Sequence, residues 1–177
     1  MLHLRRLVWF IATRLILICI IGGMLVCGFY MCLNTANIYV ILNDGLEKRV
    51  EVILSRQEAE KLNFYFHPDF LSIDPALEGA FDGSSVYDDY TISDFEYDLE
   101  IEKLWAWPWD DYATCTVVER VPSITGRVIS SRSGASATVP GWQGGRYDIT
   151  LVKTGGNWKI IGMQQTTVLM EAVNTEE

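Results

Sequence analysis

The chain is short of the residues that most enzyme chemistry draws on. Its 177 residues include two histidines, His3 and His67, so a Ser-His-Asp or Cys-His set would have to be built on one of them. Of four cysteines, Cys19, Cys27 and Cys32 fall within one apolar run and Cys115 stands alone in the remainder. No disulfide can close within that remainder, which excludes a disulfide-stapled scaffold. Cations are scarce too. Beyond Leu33, eleven Lys and Arg face twenty-three Asp and Glu, a net charge near −12. Nucleic acid, whose affinity comes from cations on phosphates, is a poor partner for such a surface, and anionic headgroups repel it. No Asn-x-Ser/Thr sequon occurs, which fits a bacterial surface protein better than a eukaryotic ectodomain.

What the chain has in quantity is apolar sequence near its start. Leu7–Leu33 reads LVWFIATRLILICIIGGMLVCGFYMCL, and from Leu15 to Leu33 nothing is charged. At about 1.5 Å per residue a helix of that length crosses the roughly 30 Å hydrocarbon layer. Arg5 and Arg6 precede the run and no acid lies within it, so the expected topology is a cytoplasmic N-terminus and an extracytoplasmic domain. Arg14 lies about one turn inside and is expected to snorkel back to the headgroups. A cleaved signal peptide is the rival reading; the run exceeds the usual apolar core of about 7–15 residues, and no small-x-small cleavage site precedes the domain. The expected organisation is 1–33 as cytoplasmic terminus and transmembrane helix, 34–170 as extracytoplasmic domain, and 171–177 as a frayed tail. Gly22, Gly23 and Gly28 let helices approach, but without Gly-x-x-x-Gly spacing; a homo-oligomer stays an open alternative.

Residues 34–54 admit two readings. Ile38, Ile41, Leu42, Leu46, Val50 and Ile53 form a helical stripe, which favours a helix continuing from the membrane, kinked at Gly45; Asn43-Asp44-Gly45 offers a hairpin turn instead. Ser55-Arg56-Gln57-Glu58 has the form of a capping box and predicts a helix over 56–63. In Phe64–Leu71, four aromatics and Pro68 predict a short helix that plugs one end of a core. Residues 74–90 read as loop. From Asp94 the period becomes two: Phe95, Tyr97, Leu99 and Ile101 alternate with Asp94, Glu96, Asp98, Glu100 and Glu102, predicting a strand with one apolar and one acidic face. The same parity carries on to Trp105 and Trp107, which are expected to face the core. Pro108–Asp111 makes a turn, Tyr112–Val121 a return strand, 122–126 a break with a short strand at 127–130, 131–145 a loop, and 146–153 and 158–168 a final hairpin across Gly155-Gly156.

Helices followed by an antiparallel meander is an α+β order. The segments FYFHPDFL at 64–71 and YDITLVKTGGNWKIIGMQ at 147–164 resemble the helical plug and terminal hairpin of nuclear-transport-factor-two-like (SnoaL-like) domains. The resemblance covers roughly residues 34–170 and implies helices packed on a strongly curved, cone-like antiparallel sheet. The cystatin-like fold, one helix on a curved sheet, is the nearest alternative. The family contains enzymes, small-ligand binders and assembly modules; membrane-anchored members in secretion and conjugation machines share an inside N-terminus, one span and an outside domain.

The candidate chemistry is thin. His67, beside Pro68, reads as a local structural residue before it reads as a catalytic one, and Cys115 alternates with Ala113 and Val117 as a core residue does. Residues 74–111 hold twelve acids and one base, Lys103. Asp82–Asp89 could offer calcium oxygens, but the loop lacks Asp-x-Asp-x-Asp-Gly spacing and the strand acids project at about 7 Å intervals, which favours a solvated or partner-facing surface. Neither a cofactor, a metal site nor a catalytic set is expected. The expected function is a non-enzymatic, single-pass membrane protein whose domain binds envelope protein partners in assembly, with conjugation, secretion or sporulation roles not separable. Trp109, Trp142, Asp110 and Asp111 are the candidate partner-binding residues. The alternative is a small apolar ligand in the cone, with His67, Tyr97, Trp105 and Trp107 as its candidate pocket.

Overall fold

The structure is a computed structural model; it describes residues 2–129, 136 and 138–169, with side chains from Trp9 onward. Part of the expected 131–145 loop and the expected tail at 171–177 lie outside the described residues.

One helix, α1, runs unbroken from Leu2 to Ser55. Its first half exposes Trp9, Leu15, Ile18, Met24, Leu25 and Phe29, an all-round apolar surface long enough to cross a membrane. Arg14 lies over the Phe10 ring, 5.3 Å from its centroid, one turn back toward the N-terminus. In the second half the predicted stripe takes over: Ile38, Leu42, Leu46 and Val50 are fully buried. The helix therefore passes the expected boundary at residues 33 and 34 without a joint, and the hairpin alternative at Asn43-Asp44-Gly45 is not realised. Gly45 serves close approach: a Cβ there would sit 2.8 Å from Tyr65 Cβ.

The expected capping box at Ser55 does not form. Ser55 ends α1, and Arg56 and Glu58 turn the chain with φ of 60° and 58°, a left-handed conformation costly for residues with a Cβ. Ion pairs hold both: Arg56 to Asp88 at 2.9 Å, and Glu58 to Lys48 and Lys61, each at 2.7 Å. A 3-10 helix follows at Ala59–Phe64, then α2 at Pro68–Leu71. Phe66 and Phe70 of the expected plug do enter the core, ring on ring at 5.4 Å, whereas Phe64 is exposed. The expected loop at 74–90 contains a further helix, α3, at Pro75–Asp82, with the Asp74 carboxylate accepting from Ala76 N at 3.0 Å and Gly83 ending it. Asp-Pro is a sound helix start; the Gly, Ser and Asp around it concealed two turns of helix.

Strands β1 (Tyr90–Trp105), β2 (Tyr112–Val128), β3 (Gly145–Thr154) and β4 (Asn157–Val168) form an antiparallel meander in the order β1-β2-β3-β4. The fold is α+β. The sheet is open, with β1 and β4 as its edges, rather than closed into a cone. The 65–67 segment docks on part of the β4 edge, with Ile160 N donating to Tyr65 O and His67 N to Ile160 O, both at 2.8 Å. Gly155 and Gly156, at φ 60° and 88°, make the two-residue turn that the right-handed twist of a hairpin favours. Val117, Cys115, Ile149, Leu151, Trp158 and Ile160 cover α1 and Phe66 in one core. Each of these buried aliphatic side chains contributes about 1.5–3 kcal/mol.

Two expectations on β1 and β2 are corrected by bulges. Proline 122 does not break β2; register slips between Glu96↔Ser123 and Asp98↔Arg120, and β2 is paired with β3 only over Tyr112–Glu119. The proline thus sits in a bulge beyond the end of β3, where no ladder N–H is required of it. A second slip, between Ile101↔Val117 and Lys103↔Thr116, inserts Glu102 and reverses parity. Leu104 turns inward, and Trp105 and Trp107 turn outward, 54% and 37% exposed, against the expected core position.

Candidate functional site

The β1–β2 turn carries the most conspicuous surface. Past the Glu102 bulge, Trp105, Trp107 and Trp109 stand side by side. Trp105 meets Trp107 edge to face at 5.3 Å, and Trp107 stacks on Trp109 at 5.2 Å with planes 14° apart. Trp109 is 69% exposed, and Tyr112, the first residue of β2, is exposed beside it. The backbone of the turn is fixed from two sides. Lys153 N donates to Asp111 O at 2.8 Å, and the Asn34 amide on α1 lies 3.5 Å from both Trp107 O and Pro108 O. Asp110 is half-buried in the turn and Asp111 is exposed. Trp109, Asp110 and Asp111 are therefore one surface; Trp142 is not part of it.

Trp142 belongs to a second constellation, inside the domain. Its indole Nε1 donates to Glu119 Oε1 at 2.9 Å, and its ring stacks on Tyr87 at 6.2 Å. Glu119 is completely buried. Nearby, Arg49 of α1 holds Asp74 through Nε to Oδ2 at 2.6 Å and Nη2 to Oδ1 at 2.9 Å, both residues almost without exposure. Glu119 Oε2 and the Tyr97 hydroxyl are buried without a hydrogen-bond partner among the described residues. Burial raises the Glu119 pKa above the usual carboxylate range, against the pull of Arg49 and the Trp142 hydrogen bond. Burial by itself would lower the Arg49 pKa, but its bonds to Asp74 and the field of Asp74 and Glu119 carry it above the ordinary value. Burial pushes Tyr147 up to about 12 and raises Tyr97 further, with Glu119 adding to both. The Tyr97 and Tyr147 hydroxyls therefore stay protonated at neutral pH, which suits structure better than proton transfer.

The candidate pocket residues do not gather. His67 caps α2, its Nδ1 accepting from Asp69 N at 3.3 Å. Tyr97 lies under the sheet near Glu119, and the two tryptophans are outside. The space between α1 and the sheet is filled by Phe66, Leu151 and Ile160. A surface groove of about 610 Å³ runs past Arg49, Phe70, Asp74, Tyr147 and Gln165; none of His67, Tyr97, Trp105 and Trp107 lines it. Cys115 is buried and its thiol is pushed up to about 12 by burial, the state of an unreactive core cysteine. Among the described residues no group of three or more His, Cys, Asp or Glu is placed to hold a metal ion.

The acidic face of β1 forms as expected. Asp94, Glu96, Asp98, Glu100 and Glu102 all point outward from an edge strand. Arg120 reaches Asp98 and Glu100 at 3.5 Å, and Arg146 pairs with Glu102. The Arg49–Asp74–Glu119 cluster was the part sequence reasoning missed. Its signal was Glu119 itself, which shares the inward parity of Ala113, Cys115, Val117 and Val121. No family model, no curated protein and no solved structure matches this chain.

Proposed function

We infer that the protein is a single-pass membrane protein, N-terminus in the cytoplasm, whose extracytoplasmic domain is a docking module for other proteins of a bacterial envelope. The observation that carries this reading is the continuity of α1: the helix able to cross the bilayer is also the core helix of the domain. A catalyst or carrier in solution gains nothing from being fixed in heading to a membrane span, whereas a docking surface does. Arg5 and Arg6 before the run and the acidic domain after it support the inside-to-outside orientation. Helices ahead of a meander, with the 64–71 segment seated on β4, keep the nuclear-transport-factor-two-like likeness within this reading.

The surface we assign to docking is the outer face of β1. It carries Asp94, Glu96, Asp98 and Glu100, and Arg120 meets the last two of them. They stand on an exposed sheet edge, where charge also blocks indiscriminate strand pairing. A partner with a basic face is the complement, with association weakening as salt rises. The test is photo-crosslinking in living cells with the reactive residue at Asp94 or Glu96. A discrete protein adduct at either position, lost on charge reversal of Asp98 and Glu100, is the expected result. Correctly inserted protein with no adduct at either position overturns the reading.

A further inference from the structure

Three tryptophans exposed side by side are costly in water, and their position relative to α1 says what covers them. The near-continuous apolar run ends at Leu33, and the next residue, the polar Asn34, is the one that touches the backbone of Trp107 and Pro108. At about 1.5 Å of rise per residue, the tryptophan turn is held within a few ångströms of the level at which the helix leaves the hydrocarbon. Tyr39, exposed on α1 about one turn further on, and Tyr112 at the start of β2 complete an aromatic group at this end of the domain. At the other end of the apolar run stands Trp9, also exposed. From Trp9 to Asn34 is about 37 Å along the helix. That is longer than the hydrocarbon layer and shorter than the full bilayer of about 40–45 Å. Tryptophan and tyrosine concentrate at those two levels because the ring is apolar and the N–H or O–H still reaches water.

We propose that the Trp105–Trp107–Trp109 turn seats in the outer interfacial layer of the same bilayer that α1 crosses, giving the domain a second membrane contact. The inference rests on the reading of α1 as a membrane span. The occupant is the headgroup–acyl boundary of zwitterionic lipid: Asp110 and Asp111 flank the rings, so anionic headgroups are repelled while an uncharged interface is not. The parity reversal at Glu102 is what makes the contact available, because without it Trp105 would point into the core. The two contacts, α1 and the turn, fix the domain against both rotation about the span and lift from the surface.

The experiment uses the purified full chain in phosphatidylcholine vesicles, with a benzophenone amino acid placed in turn at Trp109, at Phe29 within the span, and at Val86, exposed near the start of β1 at the opposite end of the domain. Lipid adducts are read by mass. Adducts at Phe29 and Trp109 and none at Val86 are expected, with the Trp109 yield falling at least threefold when half the lipid is phosphatidylglycerol. Adducts at Phe29 but not at Trp109 overturn the seated turn and leave the span standing. No adduct at Phe29 removes the span and the inference together. Adducts at all three positions mean that the domain lies indiscriminately on the lipid, which overturns a specific contact. A protein adduct at Trp109 in cells, with no lipid adduct in vesicles, assigns the turn to a protein partner instead.

Discussion

Arg49 and Asp74 are joined by two hydrogen bonds, at 2.6 and 2.9 Å, in a place where both side chains are almost wholly buried. The bond fastens α1 to the first turn of α3, and the same Asp74 carboxylate caps that turn. Removing one partner strands a buried charge, so Asp74→Ala is expected to cost about 3–5 kcal/mol, read from urea unfolding of the full chain in detergent micelles. Arg49→Met combined with Asp74→Leu is expected to recover most of the loss. A double variant as unstable as Asp74→Ala alone would contradict that account.

Two carboxylates give stability opposite slopes with pH. Glu58 is held down to about 2 by hydrogen bonds from Lys48 and Lys61. Its contribution is present above the ordinary carboxylate value and fades as pH falls from about 4.5 toward 2; because Glu58 is fully exposed, the slope is shallow. Glu119 is raised by burial, so it favours the folded state while protonated and withdraws that support as pH rises through its folded value. Glu119→Gln keeps an acceptor for Trp142 and removes the titration. The expected result is a flatter stability profile on the alkaline side, with the acid limb unchanged, measured by unfolding between pH 3 and 9. An unaltered alkaline limb would show that Glu119 stays ionised beside Arg49.

Gly45→Ala sets two effects against each other. Alanine gains about 1 kcal/mol in helix propensity, but its Cβ meets Tyr65 Cβ at 2.8 Å, a backbone-fixed neighbour. Overpacking of this kind costs about 1–3 kcal/mol. A net loss of about 1 kcal/mol is expected. Gly79→Ala on α3 meets only the Ser84 hydroxyl, at 3.3 Å, and is expected to be neutral or stabilising. Thermal melts of the two variants side by side decide it: equal midpoints would remove the steric account.

Inserting one alanine between Leu33 and Asn34 turns the domain by about 100° about the span. Seven alanines turn it by nearly two full turns and raise it by about 10 Å. If α1 presents β1 in a fixed heading, the crosslink at Glu96 is expected to drop at least fivefold with one alanine and return with seven. The lipid adduct at Trp109 is expected to be lost with seven. Insensitivity of the Glu96 crosslink to one alanine would mean that heading does not matter.

The helical and strand periodicities were readable because burial imposes them on composition: Ile38, Leu42, Leu46 and Val50 could hardly be anything but one face of a helix. What could not be read were departures of a single residue. The extra residue at Glu102 leaves no mark in a run of alternating acids, yet it moves Trp105 from core to surface. Pro122 looked like a stop because a proline in an unpaired bulge and a proline in a break have the same neighbours in sequence. Arg49 and Asp74 are twenty-five residues apart, and only the fold places them together. The contact of Asn34 with the β1–β2 turn spans more than seventy residues, so the aromatic group at the Asn34 end of the domain was visible as composition but not as position.

A helix with no joint is also a lever. In the proposed orientation, its stretch from Asn34 to Ser55 extends about 32 Å above the bilayer. A span longer than the hydrocarbon accommodates by tilting, and a change in tilt of about 10° swings the far end by about 5–6 Å. The thickness of the surrounding lipid thereby becomes a reach and an angle for whatever the outer domain offers its neighbours. The same chain in a thicker and a thinner membrane would hold its β1 edge at two different heights.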